Sequence, residues 1–561
     1  VRARFSGVFV VVMLLTAPMG RPEADRGPDI LHNFGSALDV TVVNLDVCVR
    51  DRDGRPVAGL TAADFRIKHD GEKVPVSNFS VVTSLSPRAA EHAETPTIAY
   101  AEPAWVLIYV DNENLRPAAR KRLMNRLEPF VEEVMADGAR VAVASARRSM
   151  EIRSRFSDDP EQILQALHAT AKESSGRMMR DRQRRMILRR MEEYDDFMVF
   201  SRQTSRDAVL ESINKVQIRA QILVNVQEEG DILNDTLAGL RCGVGYLAGL
   251  PGRKAVLYVS NGLPLIPSID LLHEYSDIFG DPSVLNAMPR GDFLAAFRDL
   301  AREANRRRVA FYTIDASGLA GIDGFSVEDT VVPAARASWT NKSNLQQSLA
   351  YMADETGGLL IRNTNDAAAG LRRIHDDLRN YYSLGYTIPA SGRDADYEVA
   401  IELPDHPEYT VRFRRTIAEL SPDTSFGEQV RHALLRETNN NPMDVRLRCG
   451  QPQQAAEDRW RVRMQVSVPV RHLTMSAQGD DLVGTIELCL GVCSDPGRES
   501  KPRRMRHQVR VPASAEGLDT THRYALYVDL MCRDQRQMVA VGVRDAPSGR
   551  VSVASMALAM P

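Results

Sequence analysis

Residues 107–115 read LIYVDNENL, an apolar run that ends abruptly in Asp111, Asn112, Glu113 and Asn114. Carboxylate and amide oxygens at the end of a buried strand are the hard donors that Mg²⁺ and Ca²⁺ select. The same side chains also close turns and cap helices, because their oxygens accept backbone N–H groups. The cluster is thus either a cation site or the polar end of a strand. Elsewhere, residues spaced for reaction chemistry are scarce. The sequence holds no HExxH, GxSxG, CxxC or GxxxxGK[ST] pattern, so the minimal residues of zinc proteases, serine hydrolases, thiol redox proteins and P-loop enzymes are missing. Its eleven histidines are scattered, and His273-Glu274 beside Tyr275 reads as a surface feature rather than an acid–base couple. Cys489 and Cys493 form CLGVC, but zinc would need two further ligands that no nearby Cys-x-x-Cys or paired His supplies. They read as a structural pair or as plain buried thiols. Four of the six cysteines, Cys449, Cys489, Cys493 and Cys532, fall near the end of the chain, where they are compatible with a cross-linked C-terminal domain.

The elements that carry these groups belong to several domains. With 561 residues, 43% hydrophobic and 26% charged, the sequence exceeds what one core usually holds. Basic and acidic residues nearly balance, for a formal net charge of −3, so the electrostatic footprint of a nucleic-acid partner is missing. Residues 1–20, VRARFSGVFVVVMLLTAPMG, join Arg2 and Arg4 to an apolar stretch from Val8 to Leu15 and then to small and turn residues. That is the pattern of a secretory signal peptide, too short for a span of about 20 apolar residues. No later segment approaches spanning length. The expected product is soluble after cleavage and secreted or periplasmic.

In DVTVVNLDVCVRDRDGRPV, Val43, Leu45, Val47 and Val49 alternate with Asn44, Asp46, Cys48 and Arg50. Period two marks a half-buried strand, and Asp53-Gly54 and Asp70-Gly71 are turn signals. Residues 36–84 are therefore expected to form a small β-rich, immunoglobulin-like module, followed by a linker. From Trp105 the short apolar runs WVLIYV, ARVAVASA, RKAVLYVSNG, RVAFYTIDA, LLIR and YSLGYTI alternate with helical periodicities such as Leu123, Leu127, Phe130, Val131 and Val134. Strands this apolar, separated by helices, imply a mostly parallel sheet covered on both faces. Residues 100–390 are read as one α/β doubly wound domain. Its insertion, 172–230, contains GRMMRDRQRRMILRRMEEYDDF, in which seven arginines meet five acids. Ile187, Met191, Tyr194 and Met198 fall on one helical stripe, so the segment is expected to pack on its own domain with its arginines solvated and paired at helical spacing. A partner- or anionic-surface-binding arm is the alternative. YEVAIELPDHPEYTVRFRR, within 391–420, reads as a β-hairpin extension, and the repeated short strands of 440–561 as a C-terminal β-sandwich.

The succession WVLIYVDNENL, GRKAVLYVSNG, RRVAFYTIDASGL, ETGGLLIRNTND and LRRIHDDLRNYYSLGYTIP resembles a von Willebrand factor type A domain. RDRDGRPVAGLTAADFRIKHDGEKVPVSNF fits DxDGRPVxGLTxxDFxIxxDGxxxxxxxF, a module that precedes such a domain in a VWFA-related group of secreted bacterial proteins frequent in Acidobacteria. The resemblance covers roughly residues 36–416. It implies a Rossmann-like fold that binds ligands at the carboxyl ends of its strands. It also implies a metal-ion-dependent adhesion site, Asp-x-Ser-x-Ser completed by a threonine and a late aspartate around Mg²⁺. Carried over position by position, Asp111 keeps the first ligand, the serines become Glu113 and Leu115, the threonine falls on or near Asp231, and the late aspartate becomes Asn261. Leu115 has no ligating atom. The implied metal set is thus a degenerate one, Asp111, Glu113, Asp231 and Asn261, for Mg²⁺ or Ca²⁺. Three carboxylates brought together there would need a cation or a raised pKa to relieve their repulsion. Without metal, Asp111 and Asn112 are expected to cap the next helix, and Asp315 to be a cap or turn residue on the same edge. The function expected is that of an exported, non-catalytic, adhesion-type protein that binds a protein partner in the envelope or outside the cell. A metal-independent scaffold subunit of an envelope complex and a metal-assisted hydrolase are the alternatives.

Overall fold

The computed structural model describes residues 40–82, 103–200, 207–288, 293–318, 335–364, 366–436, 440–456, 459–493, 502–512, 522–533 and 537–558. The expected signal peptide, 1–20, and most of the linker lie outside the described residues. Among the described residues, no helix is long and apolar enough to cross a membrane. Two compact units make up the chain. The first joins Thr41–Ile388 to Ala395–Glu419, and the second is built mainly from Leu420–Pro561.

In the first unit, β1 (Val40–Arg50), β2 (Arg66–His69), β3 (Glu72–Val74) and β4 (Asn78–Val82) come from the segment read as an N-terminal module. Asp70 and Gly71, with φ of +49° and +85°, form the β2–β3 turn that an Asp-Gly pair encodes. The central sheet follows: β5 (Trp105–Asp111), β6 (Arg140–Ala146), β7 (Met150–Ser157), β8 (Lys254–Ser260), β9 (Val309–Asp315) and β10 (Leu360–Ile361). Their spatial order is β10-β9-β8-β5-β6-β7, and every neighbouring pair is parallel except β6–β7. Among the described residues, eight helices accompany it: α1 (Pro117–Ala136), α2 (Pro160–Ala171), α3 (Arg177–Phe200), α4 (Asp207–Leu247), α5 (Ile269–Phe279), α6 (Phe293–Arg306), α7 (Ala335–Thr356) and α8 (Ala368–Arg379). Successive β5 side chains point to opposite faces. Val106, Ile108 and Val110 meet Leu127, Val131, Ile163 and Leu371 of α1, α2 and α8. Leu107 and Tyr109 meet Leu237, Leu240, Phe297 and Leu349 of α4, α6 and α7. Two covered faces explain why these strands show no polar alternation.

The insertion consists of α3 and the first part of α4, but α4 is one continuous helix of 41 residues whose later turns belong to the sheet cover. Ile187 and Met191 do turn inward, against Ile218, Ile222 and Val226 of α4 and Leu271 and Tyr275 of α5. The side chain of Met198 lies outside the described residues. The expectation of solvated arginines is corrected at Arg177 and Arg180, which are buried.

YSLGYTI is also corrected. As β11 (Tyr381–Pro389) it joins β1 and β4 rather than the parallel sheet. Tyr382, Leu384, Tyr386 and Ile388 alternate into one core, the mark of a strand with one covered face. β12 (Ala395–Glu402) pairs with β2 and with β14 (Thr416–Glu419), whereas β13 (Thr410–Arg412) pairs with β1. The expected hairpin therefore feeds two sheets. Together they form a sandwich, β13-β1-β11-β4 over β14-β12-β2-β3, around Leu45, Val47, Phe65, Ile67, Val399 and Ile401. Residues 36–84 are thus half of a domain that the segment after residue 380 completes. Four short strands alone would leave their apolar face uncovered. Asp377 of α8 ties this sandwich to the α/β layer. Its Oδ1 accepts Arg50 Nε and Nη2 at 3.1 and 2.6 Å, and both its oxygens accept Arg412 Nη2, at 2.8 and 2.6 Å. Gly357, at φ +75°, ends α7 where a Cβ would fall 2.6 Å from the Phe413 backbone, a conformation and a clearance only glycine supplies.

The second unit carries α9 (Pro422–Arg436), β15 (Arg446–Cys449), β16 (Gln453–Ala456), β17 (Arg459–Pro469), β18 (Met475–Gln478), β19 (Asp481–Cys493), β20 (Arg503–Pro512), β21 (Arg523–Arg533), β22 (Gln537–Asp545) and β23 (Val551–Leu558). β21 joins β17 beside β15 and β16, and β18-β19-β22-β23, with β20 on β19, make the second sheet. Both sheets contribute to one core that includes Met464, Val466, Leu488, Leu530 and Val541. α9 lays Phe426, Val430 and Leu434 over Cys489, Cys493, Ala540 and Val553. Cys489 and Cys493 share one face of β19 about 13 Å apart, beyond disulfide reach. They are buried thiols.

Candidate functional site

The polar residues of LIYVDNENL form a loop at the carboxyl end of β5, and Asp111, Asn112, Asn114 and Leu115 are buried in it. Asp111 Oδ1 accepts the Asn114 backbone N–H at 3.1 Å, closing a turn. Its Oδ2 accepts Asn114 Nδ2 and Ser260 Oγ, both at 2.9 Å, and the Tyr258 hydroxyl. Four protein donors thus engage the carboxylate, three on Oδ2 and one on Oδ1. Asp111 does not cap α1 as expected. The cap position is Arg116, and its N–H donates to Asn261 Oδ1 at 2.9 Å. Asn112 faces elsewhere: its Nδ2 donates to Glu173 Oε2 at 2.8 Å and to Thr170 O at 3.2 Å, and its Oδ1 accepts Arg120 Nη1 at 2.6 Å.

The insertion supplies a cation to this loop. Gly176 precedes α3 at a point where a Cβ would lie 2.0 Å from Glu113 Oε1, so the chain can cross directly over that side chain. One helical turn later, Arg180 Nη2 donates to Glu113 O at 2.5 Å and to Asn114 Oδ1 at 2.9 Å. Its Nη1 donates to Glu229 Oε2 and Oε1 at 3.0 and 3.2 Å, and its Nε lies 3.7 Å from Glu113 Oε1. Burial raises the Glu113 carboxyl above its ordinary range; Arg180 opposes the rise and Asp111 adds to it. Beside this, Arg116 and Arg177 both reach Asp181, at 2.7 and 2.9 Å, and Arg184 pairs with Asp270. Burial favours protonation of Asp181, but Arg177 and Arg116 outweigh it and hold the carboxyl at about 2. A carboxylate depressed in this way stabilises the fold above its unfolded range, near pH 4, and the contribution vanishes as pH falls toward about 2. Asp181→Asn should therefore cost about 2 kcal/mol near neutral pH and flatten the acid side of a plot of urea midpoint against pH. An unchanged acid slope would show the pairs to be inert.

Not all the residues singled out in the sequence meet here. Asp231 does not join Asp111: it is exposed on α4 and accepts Gln227 Nε2 at 2.9 Å. Thr236, farther along α4, is the buried residue that approaches, accepting Asn114 Nδ2 at 3.3 Å while donating to Ile232 O. Asp315 acts as a turn residue; its Oδ1 accepts Ser317 N at 2.9 Å and its Oδ2 accepts Gln346 Nε2 at 2.7 Å. His273 and Glu274 are half-buried on α5. Arg180, Glu229 and Thr236 were not found from the sequence, although Arg177, Arg180 and Arg184 share one helical face after a glycine, which is the signal that marks them.

Mg²⁺ demands a near-octahedral oxygen shell and Ca²⁺ six or more oxygens. Asp111 Oδ2 is fully occupied by three donors, Leu115 is in the core, Asp231 is elsewhere, and the Arg180 guanidinium already stands 3.7 Å from Glu113. Among the described residues, no three His, Cys, Asp or Glu side chains gather as a metal would require. The residues present do not fit a divalent cation. The rim beside them is a small polar cleft lined by Arg116, Asn261, Asp315, Ser317, Lys342 and Gln346, among other residues.

No family model and no curated protein matches the chain. Among solved structures it is similar to BatB from Bacteroides thetaiotaomicron, with 11% identity and a TM-score of 0.23 over 49% of this chain and 97% of that one. It is similar to the vWF domain of the type V pili tip protein Mfa5 from Porphyromonas gingivalis, with 14% identity and a TM-score of 0.24 over 49% and 95%. The pilus adhesin SpaC from Lactobacillus rhamnosus GG aligns with 9% identity and a TM-score of 0.27 over 88% and 58%. At these identities and TM-scores no family assignment follows.

Proposed function

We propose that this chain is an exported, non-catalytic protein-binding protein whose von Willebrand factor type A-like domain meets its partner at the carboxyl ends of the central strands without a divalent cation. Doubly wound sheets open their ligand crevice at that edge, and the polar loop after β5 lies there. The observation that carries the cation-free part is Arg180, whose guanidinium is held by Glu113 O, Asn114 Oδ1 and the Glu229 carboxylate. A tethered guanidinium supplies permanent positive charge with fixed geometry and cannot be chelated away. A metal-independent scaffold subunit of an envelope complex is the form of this function that such an arrangement favours over a cation-gated adhesin. Export rests on the basic–apolar–small pattern of residues 1–20.

Affinity capture from an envelope extract, run in Mg²⁺ and in EDTA, tests the reading. The same partner should be retained in both buffers, and Lys342→Glu on the rim should lose it while the far-ultraviolet spectrum stays unchanged. Capture that requires Mg²⁺ would contradict the proposal.

A further inference from the structure

We propose that α3 and α4 form a docking groove for an acidic, amphipathic helix of a partner protein. One stripe of α3, Ile187, Leu188 and Met191, is used internally. A second is not. Met179, Arg182, Met186 and Arg190 recur at i, i+3, i+7 and i+11, and across from them on α4 stand Ala220 and Val224. Met179 is 71% exposed, Met186 55% and Val224 53%. Between the helices these side chains line a groove of about 590 Å³ with buried Ile187 among its walls. Exposed Met178, Ile213 and Val216 extend the apolar surface. Large apolar side chains gathered on a surface in this way mark an interaction site, and flexible methionines adapt to the anchors of a docked helix.

Charge selects the occupant. The groove contains Arg182 and Arg190 and no acid. Neither arginine has an acidic partner among the described residues, whereas Arg177, Arg180 and Arg184 on the inner face are each engaged by carboxylates and Arg189 pairs with Glu193. An apolar trough flanked by two guanidiniums without counter-ions fits a helix with apolar anchors at i, i+3, i+4 and i+7 and carboxylates beside them. A flat anionic lipid surface would touch the tips of Met179, Met186 and the arginines but leave the walls of the trough wet. No groove residue belongs to the strand-end cluster, so the two proposals fail independently.

The test is fluorescence anisotropy of a labelled synthetic helix, leucine at i, i+3, i+4 and i+7 with glutamate at the remaining positions, titrated with the full chain. A peptide with lysine for glutamate is the control. The acidic peptide should bind at least about tenfold more tightly than the basic one, and Arg182→Glu with Arg190→Glu should reverse that preference while leaving the helical spectrum intact. Equal binding of both peptides, or of neither, overturns the proposal. Binding of phosphatidylglycerol vesicles without peptide binding overturns it in favour of a membrane. Concentration-dependent self-association that Met186→Glu abolishes overturns it in favour of a second copy of this chain.

Discussion

Asp377→Ala should lower the stability of the first unit by roughly 3–5 kcal/mol, a large fraction of the roughly 5–15 kcal/mol a domain typically has. Asp377 is 2% exposed and compensates two guanidiniums at once. Arg50, itself buried, then keeps the carbonyls of Gly54 at 2.5 Å and Arg373 at 2.6 Å and a half-exposed carboxylate, Asp376, at 3.9 Å. Arg412 keeps the Gly358 carbonyl at 2.9 Å. Two buried cations that lose their shared hydrogen-bonded carboxylate cost more than the pair is stabilising, because their desolvation is no longer offset, and Asp376, 3.9 Å from Arg50 and partly solvated, is a weak substitute. The same layer already holds Arg253, which donates to the Tyr312 hydroxyl at 3.0 Å and to Cys48 Sγ at 3.2 Å and lies over the Tyr381 ring. Burial keeps the Cys48 thiol raised and therefore neutral, opposed in part by Arg253, so it offers no replacement charge. Combining Asp377→Ala with Arg412→Ala should cost less than the sum of the two single changes, as contacting charges do. Urea midpoints followed by tryptophan fluorescence measure all three, and an unchanged midpoint for Asp377→Ala would refute the clamp.

Arg180→Ala should cost about 3 kcal/mol or more, since it leaves the Glu113 and Glu229 carboxylates without their shared cation. Arg180→Lys should recover only part, because an ammonium lacks the planar fork that reaches Glu113 O, Asn114 Oδ1 and Glu229 together. The deficit has a pH signature. Glu113 is already raised by burial and by Asp111, and removing Arg180 raises it further. Its ionised form is then the unfavourable one, so the deficit of the variant should shrink as pH falls and the carboxyl takes up its proton. A deficit that grows on acidification would show that Arg180 acts through packing alone.

How far the sequence reveals this molecule depends on what each residue faces. The parallel strands were legible because Val106–Val110 and Ala255–Val259 are buried on both faces and so read as unbroken apolar runs. YSLGYTI misled by its position after a helix, although its Tyr382, Leu384, Tyr386 and Ile388 alternation carries the period of a one-sided sheet. The partnership of residues 40–82 with strands beyond residue 380 is a long-range pairing that no local pattern encodes. At the site, Asp111 and Asn261 were found because the strands that present them were found. Arg180 was missed because a helical arginine looks the same in sequence whether it faces water or a buried carbonyl. Only the glycine before its helix, which lets the chain cross Glu113, distinguishes the two cases.

The central claim is that a protein guanidinium takes the place of a metal at the end of β5. Isothermal titration of the full chain with Mg²⁺, Mn²⁺ and Ca²⁺, alongside Asp111→Ala, tests it most directly. No binding heat from any ion, in either protein, is the expected result. A one-site isotherm in the wild type that Asp111→Ala abolishes would contradict the account.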